Sequence, residues 1–111
     1  MFEISRQGAI DVVAGELPLN AENAEALMRA FEKCLADGQP RAVLDLQAVP
    51  LIDSVGLETL LDIQDSFEQR TGSLKLASPN PLCSDILIAT GIDNHFEVYP
   101  EVKSAVASFL Q

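Results

Sequence analysis

The sequence is poor in the side chains that most chemistry requires. It holds one histidine, His95, and two cysteines, Cys34 and Cys83, which lie far apart and form no C-x-x-C. No zinc ligand set and no disulfide framework can be assembled from these, so neither a metal nor a cofactor is expected. Lysine and arginine number 7 against 17 aspartates and glutamates, a formal charge of −10. Nucleic-acid affinity depends largely on cations that neutralise phosphates, which excludes a nucleic-acid partner. Adhesion to an anionic membrane surface is excluded on the same ground. Apolar runs are short, as at residues 86–89, whereas a spanning helix needs roughly 20 such residues. The opening Met1-Phe2-Glu3-Ile4-Ser5-Arg6 lacks the apolar core of a signal peptide, so the expected location is cytoplasmic.

What is present reads as one globular domain over residues 1–111. Hydrophobic residues make up 48% and charged residues 22%, enough to build a core at this length. Residues 2–5 and 10–14 pattern as short strands with Gln7-Gly8 as the turn between them. Asn20 is a good cap for a first helix carrying Leu27, Met28, Phe31 and Leu35 at helical spacing, closed by Gly38 and Pro40. Residues 42–46 form a compact apolar strand. A second helix runs from Ser54 to about Arg70 and closes at Gly72. Residues 74–77 are a fourth strand, and Asn80 or Pro81 opens a third helix ending near Gly91. Residues 96–99 are a fifth strand. Pro100 opens a last helix with Val102, Ala105, Val106 and Phe109 on one face. The order β-β-α-β-α-β-α-β-α predicts an α/β fold: a mixed, mostly parallel sheet of about five strands with about four helices. Phe31, Phe67, Phe96 and Phe109 are core candidates, and the two cysteines read as small, semi-buried thiols.

The most informative stretch is Val49-Pro50-Leu51-Ile52-Asp53-Ser54-Val55-Gly56-Leu57. An apolar approach ends in Asp-Ser and a helix begins at once. In a parallel sheet such a βα loop lies at the carboxyl end of the strands, where ligands and partners usually meet the fold. Either Asp53 or Ser54 can be the N-cap, and capping is by itself a sufficient reason for a serine there. Gly56 is expected to leave open space beside Ser54, at a helix cost of about 0.5–1 kcal/mol relative to alanine. On a helical wheel Leu57, Leu60, Leu61 and Phe67 share a sector, with Ile63 at its edge. Gln64 and Glu68 fall inside that sector and are expected to overhang the sheet. Glu58, Asp62 and Asp65 lie together on another face. They form either a solvated face or an acidic stripe for a basic partner.

These residues carry a resemblance. Val43-Leu44-Asp45-Leu46 followed by Leu51-Ile52-Asp53-Ser54-Val55-Gly56-Leu57 resembles the signature of STAS domains (sulphate transporter and anti-sigma factor antagonist). Leu87-Ile88-Ala89-Thr90-Gly91-Ile92 with Phe96-Glu97-Val98-Tyr99, and the early Gly15-Glu16-Leu17 turn, are similar to further segments of that family. The likeness spans nearly the whole chain and implies a single STAS domain over 1–111. It implies a regulatory binding module, not an enzyme, resembling bacterial anti-sigma factor antagonists. The implied partners are an anti-sigma factor that is also a serine kinase, and a phosphatase that reverses its action. By position, Ser54 matches the phosphorylated serine and Asp53 the acidic residue before it. The implied contact surface is Asp53, Ser54, Val55, Gly56, Glu58 and Asp62. Two departures stand out: Pro18 where the family's early turn commonly has Asp, and Val55 where a second hydroxyl is common.

Other readings compete with this one. A non-switching STAS subunit, of a phospholipid-transport ABC complex or a stress-sensing assembly, would use the same helix start without phosphorylation. A hydrolase would need Ser54 as nucleophile and His95 as base, but G-x-S-x-G is absent because Ile52 replaces the first glycine. Nucleotide binding lacks both a P-loop and G-x-G-x-x-G. No catalytic residue is therefore assigned.

Overall fold

A computed structural model describes residues 2–35 and 38–110. The strands are β1 (Glu3–Gln7), β2 (Ile10–Ala14), β3 (Arg41–Asp45), β4 (Ser73–Ala77) and β5 (Val98–Tyr99). The helices are α1 (Ala24–Cys34), α2 (Ser54–Glu68), α3 (Pro81–Ala89) and α4 (Val102–Ser108). The sheet runs β1-β2-β3-β4-β5; β1 pairs antiparallel with β2 and every other pair is parallel. This is the α/β architecture expected from the alternation of segments.

Period-two alternation on the central strands splits the core between the two faces of the sheet. Val13, Leu44, Leu74 and Leu76 pack with Leu27 and Phe31 of α1, Leu60 and Phe67 of α2, and Leu87 of α3. Phe31 and Phe67 meet edge to face at 5.9 Å between ring centroids, which locks α1 against α2. Ile10, Val12 and Val43 face the other way, onto Ala105 and Val106 of α4.

Several local expectations are corrected. Asn20 does not cap α1. Its side chain accepts from the Asn23 backbone N–H at 3.2 Å and closes a turn, and Asn23 becomes the cap position. The helix ends at Cys34, ahead of Gly38 and Pro40, and Met28 is exposed rather than core. Helix α2 stops at Glu68, and Thr71, not Gly72, takes the left-handed conformation (φ 58°) after it. Gly72 serves a different need: a Cβ there would sit 2.1 Å from the Pro40 carbonyl oxygen. Strand β5 spans only Val98–Tyr99, because residues 92–95 turn as a 3-10 helix. The last helix begins at Val102, two residues after Pro100. Cys34 and Cys83 are fully buried and unpaired with each other, not semi-buried.

Gln64 is the largest departure. It does not overhang the sheet but is buried against it. Its side-chain oxygen accepts from the Leu74 N–H at 2.8 Å, and its amide donates to the carbonyls of Leu74 and His95, both at 3.0 Å. Strand β5 reaches β4 only at Leu76 and Ala77. At Leu74 the amide side chain thus stands in for the missing strand, which explains a polar residue in an apolar sector.

Candidate functional site

The site is built where β3 gives way to α2. After Asp45 the chain crosses residues 46–53 and enters α2 at Ser54. Asp53 is the N-cap: its backbone is extended, and its carboxylate accepts from the Gly56 N–H at 3.0 Å. The cap role therefore falls on Asp53, and Ser54 stands in the first helical turn. Ser54 is exposed, and among the described residues its hydroxyl takes no hydrogen-bond partner. A free, exposed hydroxyl one position inside a helix start can accept a phosphoryl group without breaking a native contact. A phosphate there also meets a favourable helix dipole.

A second segment holds this loop in place. Leu19, from the stretch between β2 and α1, bridges in parallel to Ile52. Its N–H donates to the Leu51 carbonyl and its carbonyl accepts from the Asp53 N–H, both at 3.0 Å. The early turn at residues 15–19 thus leads into a one-bridge extension of the sheet beside the site. Gly56 sits directly under that bridge. A Cβ at Gly56 would lie 2.1 Å from the Leu19 carbonyl oxygen. The expectation of open space beside Ser54 is therefore wrong. The glycine is buried and lets two backbones close on each other.

The exposed face of α2 presents Val55, Glu58, Asp62 and Asp65. Among the described residues, Asp53, Glu58 and Asp62 form no ion pair. Among the described residues, then, no cation pairs with this acidic face. Sequence reasoning missed two apolar neighbours. Leu51 is 39% exposed and Leu82, in the first turn of α3, is 53% exposed. Helix α3 is tied to the same end of the sheet: Asn80 caps it by accepting from the Cys83 N–H at 2.7 Å, and donates to the Val49 carbonyl at 3.0 Å. The only signal for Leu82 in the sequence is a leucine directly after Pro81 at a helix start.

Ser54 and His95 do not form a nucleophile–base pair. The His95 carbonyl bonds Gln64, ten residues along α2 from Ser54, which is about 15 Å at 1.5 Å rise per residue. Cys34 is no nucleophile either. Burial, then the neighbouring Asp11 charge and hydrogen bond, push its thiol up to about 12, against a smaller opposing pull from Arg6. Burial also raises Cys83. Among the described residues no helix is long and apolar enough to cross a membrane.

Comparison with known proteins is consistent across sequence and structure. The STAS domain family profile matches residues 2–105. BtrV of Bordetella bronchiseptica, named as an anti-sigma factor antagonist, is 30% identical over 91 residues, 82% of this chain and 78% of its own length. A Thermotoga maritima structure described as an anti-sigma factor antagonist superposes with a TM-score of 0.91 at 25% identity, covering 99% of this chain and 95% of that one. The STAS domain of a SulP transporter from Vibrio cholerae superposes with a TM-score of 0.73 at 25% identity, covering 96% and 84%.

Proposed function

The chain belongs to the STAS domain family, and from that premise we propose that it is a cytoplasmic anti-sigma factor antagonist switched by phosphorylation at Ser54. The observation that carries this reading is the division of labour at the helix start. Asp53 does the capping, so the Ser54 hydroxyl is free for modification. The partner is an anti-sigma factor that is also a serine kinase, and a phosphatase restores the unmodified form. The docking surface is centred on Asp53, Ser54 and Val55, with Glu58 and Asp62 as its acidic flank. Gly56 contributes from beneath, by holding the loop against Leu19. Val55, Leu51 and Leu82 supply exposed apolar area for contact. The protein acts by binding a partner.

The energetics favour an interface switch over a change of fold. Phosphoserine carries about −1.5 to −2 charge at neutral pH. At the start of α2 the helix dipole stabilises it by roughly 0.3–1 kcal/mol, so the domain stays folded. The conflict arises on docking, where a dianion beside Asp53 and Glu58 must be desolvated. An imperfectly paired charge in a closed interface costs about 2–5 kcal/mol, enough to dissolve a micromolar complex. Ser54 is the single acceptor of the motif because Val55 carries no hydroxyl.

The decisive experiment combines phosphorylation and binding with candidate anti-sigma factors. The kinase modifies the wild type and leaves Ser54→Ala untouched, while unmodified protein binds and Ser54→Asp does not. Equal binding by Ser54→Asp and the wild type refutes the switch. A complex that forms but is never phosphorylated, and survives Ser54→Asp, indicates instead a constitutive STAS subunit. The likeness to a transporter's STAS domain supports that second reading.

A further inference from the structure

The opposite end of the sheet carries a feature that the partner-binding surface does not use. Among 17 acidic and 7 basic residues, two of the cations, Arg41 and Lys75, line one cleft of about 270 Å³. The strand register explains their meeting. Arg41 pairs with Ser73 and Val43 with Lys75 on adjacent strands. Val43 faces α4, so the alternation places Arg41, Ser73 and Lys75 on that same face, with Arg41 and Ser73 at the amino ends of β3 and β4 and Lys75 two residues further along β4.

Lys75 is 6% exposed; three of the groups around its ammonium are walls of the cleft, and the Tyr99 ring, 5.6 Å from Nζ, backs it from outside. Nζ donates to Ser108 Oγ at 2.7 Å, lies 3.5 Å from Glu97 Oε2, and stands 4.1 Å from the Phe109 ring centroid. The Glu97 side chain is 62% exposed at the rim, and its other oxygen accepts from the Tyr99 hydroxyl at 2.7 Å, so the carboxylate is shared between Tyr99 and a long contact to Lys75. An ammonium has three donors: Ser108 accepts one, Glu97 stands at ion-pair distance from a second, and the third is left beside the Phe109 ring. The Arg41 guanidinium spends one donor on the Gln39 side-chain oxygen at 3.3 Å and keeps others for the cleft. The charged groups facing the cleft are thus Arg41, Lys75 and Glu97, a local balance of +1 on a chain of −10.

We propose that the Arg41–Lys75 cleft binds a small phosphate-type oxyanion. The anion accepts from the Arg41 fork and the third Lys75 donor, with the Ser73 hydroxyl beside it, and displaces the Glu97 carboxylate toward solvent. The site is separate from Ser54, which lies at the carboxyl end of the strands, so it stands or falls independently of the regulatory reading.

The test is a titration of the full chain with inorganic phosphate, followed by backbone amide NMR, with equimolar chloride as control. The expected result is saturable shifts at Ser73, Lys75 and Ser108 with a Kd of about 1 mM or below, and none with chloride. Arg41→Gln should weaken binding about tenfold or more, by loss of a charge-assisted hydrogen bond. Glu97→Gln should tighten it, because the competing carboxylate is gone. A purely structural Lys75–Glu97 pair predicts no such gain. Absence of saturation at about 10 mM phosphate, identical shifts with chloride, or an affinity untouched by both substitutions overturns the proposal. Both substituted side chains sit at the cleft rim, so the folded domain is retained for the measurement.

Discussion

Substituting Gly56 with alanine sets helix propensity against packing, and the structure decides which wins. Propensity favours alanine by about 0.5–1 kcal/mol in a helix. The new Cβ, however, would lie 2.1 Å from the Leu19 oxygen, 2.7 Å from its carbonyl carbon and 2.9 Å from its Cβ. Carbon contacts relax only near about 3.5–4.0 Å, so the two backbones must part by more than an ångström. Leu19 cannot yield freely, since it is hydrogen-bonded to Leu51 on one side and Asp53 on the other. Weakening those two bonds costs about 1 kcal/mol each, and the overpacking adds about 1–3 kcal/mol. The expected net effect is a loss of about 2–4 kcal/mol after the propensity gain is subtracted. In urea, with a slope of about 1–3 kcal/mol per molar, the unfolding midpoint falls by roughly 1–3 M. Gly38→Ala is the control, because nothing lies within 4 Å of a Cβ there. An unfolding midpoint for Gly56→Ala equal to or above the wild type would refute the account of a forced close approach.

Three further outcomes follow from the same geometry. Gln64→Leu keeps the volume but strands the Leu74 N–H and two carbonyls, at about 1–3 kcal/mol for each group left unpaired. Calorimetry should show the lower melting temperature, and hydrogen exchange the earliest loss of protection at Leu74. Asp53→Ala removes the α2 cap and costs about 0.5–2 kcal/mol, whereas Asp53→Asn stays close to wild type in a denaturant titration. Cys34 in the native protein should resist a thiol reagent at neutral pH and react fully once unfolded. Its thiol is raised from an ordinary 9.0 to about 12. The folded state therefore holds its proton where the unfolded chain releases it. The corresponding stability is intact below pH 9 and declines as pH climbs toward 12; a Cys34→Ala variant should show a flatter decline over that window.

The elements were legible because their signals are local. Asn80-Pro81 starts a helix wherever it sits, and Val43 and Leu44 alternate faces in any sheet. The boundaries were less so. Asn20 and Asn23 are equally good caps by residue type, and only the turn closed by the Asn20 side chain selects the second. Gln64 was misplaced because its partners, the Leu74 and His95 backbones, lie 10 and 31 residues away. The helical wheel records which way a side chain points and is silent on what it finds there.

The candidate site divides along the same line. That Asp53 and Ser54 stand at a helix start, with Glu58 and Asp62 one and two turns on, follows from the amino-acid order alone, since capping and the 3.6-residue repeat act within a few residues. Which of the two caps, and so which hydroxyl is left free, required the positions of atoms. Gly56 shows the limit most clearly. Its missing side chain reads as vacant space in one dimension, yet Leu19, 37 positions earlier, fills that space with its own backbone. Contacts between segments distant in the chain are set by the packing of the whole sheet, and that packing alone determined how the helix start is held.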